Sequence, residues 1–266
     1  MESYDIYQNL IQQYNQLSLE EQQAILIYKS RLFNLINEIT SIPNFKDLTT
    51  DEIINILPNK EQLIKEVQSF HEILNKKENI TVKYSVFNLI HLDNFNILIE
   101  DIKNIYLILE QAKDKIILDN DLTVYRGISL KSKEELLEFS KGNIISTSIN
   151  LDDTEPFLFS NEIAILYVFQ LKKGTPLLVS PTSLVRTYKD KADYLDKKLQ
   201  GKGPTLLKLI NRGIDSQQEI ILFKNCLSLD NKKIIEKNIE NGKNMYIYYI
   251  DTEPIWEINY TKKNLS

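Results

Sequence analysis

The chain has 266 residues, 42% hydrophobic and 26% charged, which are ordinary globular values and allow a sizeable core in one large domain or two small ones. Its net charge of −5 gives no support for nucleic-acid binding by the molecule as a whole. Cys226 is the single cysteine, so no internal disulfide can form and a reducing compartment is expected; with only two histidines, a thiolate- or imidazole-rich metal site is disfavoured.

The opening residues Met1-Glu2-Ser3-Tyr4-Asp5 are acidic and lack an apolar h-region, so no secretory signal is expected. No run approaches the roughly 18 apolar residues of a membrane span. The first part of the chain reads as helical. Ser18 with Glu21, and Thr49 with Glu52, have capping-box spacing. Apolar residues recur at helical spacing from Ile25 to Ile39. Between residues 97 and 113, Leu98, Ile102, Ile105, Leu109 and Ala112 alternate in steps of four and three, which lays one apolar stripe along a helix. Glu100, Lys103, Asn104 and Glu110 fall on the opposite face.

After Asp119-Asn120-Asp121 the texture changes. Leu122–Tyr125 reads as a short strand, and Ser132 with Glu135 caps a helix through Phe139. Asn143–Thr147, Ile163–Leu171, Pro176–Ser180, Glu219–Phe223 and Met245–Ile250 read as further strands, the second of them a buried run of β-branched and aromatic residues. Ile234–Ile239 reads as a short helix. Strands separated mostly by loops predict an α+β domain with a mainly antiparallel sheet. The segment 181–216 is long for a connection and rich in Lys and Arg. Such a stretch is either a substrate-contacting loop or a solvated insertion.

Three short pieces carry chemistry. Arg126 stands at a strand end before Gly127; a guanidinium offers a bidentate fork to phosphate, and a glycine admits close approach to the backbone. Ser146, Thr147 and Ser148 place small hydroxyls on a strand, where they can bond a ribose or orient a carboxylate. Gln217-Gln218-Glu219 opens another strand, with Gln217 and Glu219 on one face. Each piece alone has an ordinary reading, as a surface turn, plain sheet surface or a solvated strand start.

In this order and strand setting the three pieces resemble the mono-ADP-ribosyltransferases of the arginine–serine–glutamate type. The resemblance spans roughly residues 95–260. It implies a split, mixed but mainly antiparallel β-sandwich, a catalytic domain over residues 95–266, and a helical region of unknown role over residues 1–94. It further implies NAD as substrate, no metal, and a protein acceptor, with action in the cytoplasm of the producing cell or of a host, as a toxin or effector. By the same resemblance Arg126 would hold the NAD phosphates, and Gly127 would offer its backbone to the nicotinamide amide. Ser146 would orient Glu219, with Thr147 and Ser148 shaping the ribose side. Glu219 would bond the ribose hydroxyl and stabilise positive charge as nicotinamide leaves, and Gln217 would position the acceptor. One catalytic carboxylate suffices: nicotinamide in NAD is cationic and leaves neutral, so the general acid of ordinary glycosidases is not needed.

The chain departs from the family pattern in places. Members that modify arginine carry Glu where this chain has Gln217, which instead resembles the small Rho-modifying bacterial exoenzymes. Gly213-Ile214-Asp215-Ser216 lacks the usual aromatic, and Asp152–Glu162 lacks a second arginine. Phe157 or Phe159 is a candidate to stack on nicotinamide, and each has an equal reading as core. Two alternatives stand beside the transferase: an NAD glycohydrolase that passes ADP-ribose to water, and a catalytically silent fold used as a binding module.

Overall fold

The computed structural model describes residues 3–30, 32–75, 89–131, 142–158, 163–180, 219–224, 231–238 and 244–252. The expected helix through Phe139, the segment 181–216, Phe159 and Gln217 lie outside the described residues. Two compact units emerge, one drawn from Met1–Asn15, Lys113–Ser180 and Gln217–Ser266, the other from Gln16–Ala112.

The second unit is helical. Helices α2 (Leu19–Tyr28) and α4 (Thr50–Ile56) start at the two expected capping boxes. Ser18 Oγ accepts from the Glu21 amide at 3.2 Å while Glu21 Oε2 accepts from the Ser18 amide at 2.8 Å. Thr49 and Glu52 repeat the exchange at 3.3 and 2.8 Å. Each exchange satisfies amides that a helix start leaves without partners. The periodic run from Ile25 to Ile39 is not one helix: it breaks after Tyr28 and resumes as α3 (Phe33–Ser41). Ser30 supplies the reason. Its hydroxyl donates to the Ile27 carbonyl at 2.6 Å and accepts from the Leu32 amide at 3.2 Å, offering the backbone an alternative to helical bonding. Beyond α5 (Lys60–Asn75), Asn94 Oδ1 accepts from the amides of Asn96 and Ile97 and starts α6 (Phe95–Lys113). The whole apolar stripe of α6, Leu98 to Ala112, is buried. Among the described residues no helix is long and apolar enough to cross a membrane.

The first unit carries the sheet. Its strands are β1 (Leu122–Leu130), β2 (Ile144–Ser148), β3 (Ile163–Leu171), β4 (Leu178–Ser180), β5 (Glu219–Phe223), β6 (Asn231–Asn238) and β7 (Asn244–Thr252), in the order β4-β5-β2-β1-β3-β7-β6. Among the described strands only β3 and β7 run parallel to each other, so the sheet is mixed and mainly antiparallel, as expected. β1 pairs with β3 along its full length, from Leu122↔Leu171 to Leu130↔Ile163. Its other neighbour, β2, meets it at one pair alone, Tyr125↔Ser148. The sheet is therefore split into β4-β5-β2 and β1-β3-β7-β6, hinged on that pair.

One expectation fails here. Residues Asn231–Asn238 form strand β6, not a helix, and pair antiparallel with β7. The Lys and Glu content favours a helix locally, but pairing with a neighbouring strand overrides so short a preference.

Helix α1 (Ser3–Tyr14) belongs to the same unit. Tyr7 donates its hydroxyl to the Ser180 carbonyl of β4 at 2.6 Å. The Gln13 amide group bonds both backbone groups of Ile117, at 3.0 and 2.8 Å. On one face of the larger half-sheet, Ala164, Leu166, Val168 and Ile247 pack with Leu158, and Tyr125 and Met245 border them. Leu158 ends helix α7 (Glu155–Leu158), which follows a 3-10 turn at Asp152–Thr154.

Candidate functional site

The chemistry-bearing residues gather at the hinge between the two half-sheets. The register of β2 on β5 sets Ser148 opposite Glu219 and Ser146 opposite Ile221. Residues two apart on a strand share a face, so Ser146, Ser148 and Glu219 point the same way. Ser146 Oγ donates a hydrogen bond to Glu219 Oε1. The Ser146 carbonyl accepts from Arg126 Nη1 at 2.9 Å. One residue thus ties both groups: its hydroxyl holds the carboxylate, and its backbone holds the guanidinium.

Glu219 is only 4% exposed, and a carboxylate so buried stays charged only where it has hydrogen-bonding or charged partners. Every residue of β5 is buried, so the strand fixes Glu219 from the backbone outward. Arg126 is half-buried and lies opposite Tyr167 of β3. Burial pushes the Tyr167 phenol up to about 12, with the Tyr248 beside it adding to the rise and the Arg126 charge pulling the other way. Tyr167 is therefore a neutral phenol at any physiological pH, and its ring lies 5.2 Å from that of Tyr248.

The three hydroxyls of the Ser-Thr-Ser piece have three different partners. Ser146 has Glu219. Thr147 faces away from both serines and donates to the Ile220 carbonyl at 2.8 Å, which locks β2 onto β5. Ser148 donates to Asp153 Oδ2 at 2.6 Å and accepts from the Asn150 amide at 3.1 Å. Asp153 went unnoticed in the sequence. Its signal was the set of short polar residues Asn150, Asp152, Asp153 and Thr154 just after the serines, of a kind that turns back on nearby hydroxyls.

Gly127 is buried under the 3-10 turn. A Cβ built there would lie 2.6 Å from the Thr154 carbonyl oxygen and 3.0 Å from both Thr154 Cβ and Leu158 Cγ. The glycine is needed for this close approach of α7 and its preceding turn to β1. Gly127→Ala must move the Thr154 backbone, and overpacking of this kind costs about 1–3 kcal/mol. A lowered denaturant midpoint with an unchanged slope is the expected result; an unchanged midpoint would mean that the turn yields freely. Phe157, on the same segment, is 51% exposed.

No protein-family profile and no curated protein matches the chain. Solved structures do. A C3-type ADP-ribosyltransferase of Clostridium botulinum matches at 15% identity over 93% of this chain and 95% of its own, with a TM-score of 0.43. The C3 exoenzyme of Clostridium limosum matches at 13% identity over 94% and 95%, with a TM-score of 0.42. The enzymatic component of the Clostridium botulinum C2 toxin matches at 14% identity and a TM-score of 0.41; 93% of this chain is covered, but it spans only 46% of that one. At these identities and TM-scores the likenesses carry no residue roles.

Proposed function

We propose that the chain is an NAD-dependent mono-ADP-ribosyltransferase that moves ADP-ribose to a protein side chain and releases nicotinamide. The observation that carries this is the double use of Ser146, which sets a cationic fork and a buried carboxylate on either side of a single residue. Dinucleotide cleavage needs that pairing: one group for the phosphates, one for the positive charge that develops at the ribose. NAD supplies a carbon–nitrogen bond whose electron pair departs with neutral nicotinamide, so no acid has to protonate the leaving group.

In this reading Arg126 binds phosphate, and Ser146 keeps Glu219 aimed. Glu219 accepts from a ribose hydroxyl and stabilises the charge. Ser148 borders the ribose side, and Thr147 supports it from the far face by fastening β2 to β5. Gly127 presents its backbone to the nicotinamide amide. Phe157 is the described aromatic available to cover the departing ring, with Phe159 the other candidate. Gln217, two residues before Glu219, positions the acceptor. The catalytic role belongs to residues 95–266.

The test uses NAD labelled on its adenylate half, added to a cell lysate with wild type or Glu219→Ala. Label on protein with wild type alone is expected. Nicotinamide release without protein label would instead favour a glycohydrolase or a lysate that lacks the target, and the absence of both turnover and NAD binding would favour a binding module. Gln217→Ala is expected to lower transfer about tenfold while sparing NAD hydrolysis, the size of one lost hydrogen bond to a reacting group. Equal losses in the two reactions would remove Gln217 from the acceptor side.

A further inference from the structure

We propose that Asp153 is a positioning residue for the site, acting through Ser148 to set where the segment 150–158 stands over β1. The proposal rests on the reading of the site as an NAD pocket.

Ser148 is the residue on which the split sheet hinges. It pairs with Tyr125 of β1 on one side and with Glu219 of β5 on the other. Its side chain is buried, and its hydroxyl donates to Asp153 Oδ2 at 2.6 Å, the short distance of a bond to a charged acceptor. Asn150 closes the turn, its amide donating to Ser148 Oγ at 3.1 Å and its side-chain nitrogen reaching the same Asp153 oxygen at 3.5 Å. These bonds fasten the near end of the segment to the strand that carries Ser146.

The next fastening follows one residue later. Thr154 is buried, its amide and hydroxyl both donate to the Leu151 carbonyl, and its own carbonyl oxygen rests over Gly127. The third is Leu158, which sits in the apolar cluster with Leu166, Val168 and Ile247. Phe157 lies between the last two and is half exposed. A chain held at three points has little freedom between them. Of the three, the fastening at Ser148 is the one that ties the segment to β2, and within it Asp153 supplies the side-chain bond, so that bond couples the position of Phe157 and of the cover on Gly127 to the strand beside Glu219. The hydrogen bonds of Asp153 go to Ser148 and Asn150, not to Glu219 or Arg126. Its effect is on the shape of the pocket, not on the charge that Glu219 supplies.

The experiment compares the wild type with Asp153→Ala, Asp153→Asn, Ser148→Ala and the Ser148→Ala/Asp153→Ala double variant. Steady-state NAD hydrolysis and hydrogen exchange by mass spectrometry are measured on each. Asp153→Ala should raise the KM for NAD about tenfold, as expected for losing a hydrogen bond to a charged group, with a smaller change in kcat. Asp153→Asn keeps an acceptor for Ser148 and should recover most of the loss. The double variant should be no worse than the poorer single one, because both remove the same bond. Peptides covering 150–158 should exchange faster in Asp153→Ala, while those covering β3 do not change.

Unchanged exchange in 150–158 would overturn the anchoring. Faster exchange with an unaltered KM would overturn its consequence for the site, as would additive losses or an Asp153→Asn variant no better than Asp153→Ala. A wild type that binds no NAD would overturn the wider reading, and with it this use of Asp153. The exchange result would still report on the bond by itself, so the two failures are distinguishable.

Discussion

Glu219→Gln is expected to fold, to bind NAD with little change in affinity, and to lose turnover by a factor on the order of 10³, near the upper end of what one preorganised electrostatic group contributes to a buried transition state. Glutamine matches glutamate in size and keeps an oxygen that accepts from Ser146 Oγ, so the packing of the fully buried β5 is preserved. What it removes is the charge. If that charge offsets the positive ribose, transfer to protein and hydrolysis by water must fall together, since both pass through the same bond cleavage. Glu219→Ala should lose both reactions too, but it also empties a buried site and so mixes a stability loss into the readout. Near-normal nicotinamide release by Glu219→Gln would remove the carboxylate from the chemistry. Loss of transfer with hydrolysis intact would move Glu219 to the acceptor side. Loss of Ser146 by Ser146→Ala should be milder than loss of Glu219, because it frees the carboxylate to rotate without removing it.

Arg126, Ser146 and Glu219 could be grouped from the sequence through the order and strand setting of their motifs, which resemble one family pattern; apolar patterning supplied only the strands. Alternation within a strand is a local property, so strand texture could be read before any register was known. The capping boxes at Ser18 and Thr49 and the stripe of α6 were legible for the same reason: every interaction involved spans three or four residues. What escaped depends on distant partners or on competition between near-equal local choices. Strand β6 has a composition that suits a helix, and only its pairing with β7 makes it a strand. The break at Ser30 turns on one hydroxyl that bonds its neighbours' backbone instead of pointing to solvent. The hinge at Tyr125↔Ser148 is a matter of where two strands part, which no periodicity records. Asp153 follows from that hinge. Its partner Ser148 was visible in the sequence, but the fold of the turn that brings the two side chains to 2.6 Å was not.

Arg126→Lys is expected to weaken NAD binding roughly tenfold to a hundredfold, the loss of one or two hydrogen bonds to charged groups. Lysine keeps the positive charge, so a purely Coulombic role would survive the change. A fork would not. Arg126 donates Nη1 to the Ser146 carbonyl at 2.9 Å, and a guanidinium carries its N–H groups in one rigid plane. A lysine ammonium has neither that plane nor the reach to bond the carbonyl and two phosphate oxygens at once. Calorimetric titration of NAD into the Glu219→Gln background measures this without turnover to confuse it. The loss should appear with NAD and with ADP-ribose alike, since both carry the two phosphates, and should be absent with nicotinamide alone. An affinity for ADP-ribose that Arg126→Lys leaves unchanged would show that the phosphates are held elsewhere, and Arg126 would then serve only to fasten β1 to β2 through Ser146. In that event Arg126→Lys would lower the unfolding midpoint while leaving ligand affinity intact, a pattern opposite to the one expected.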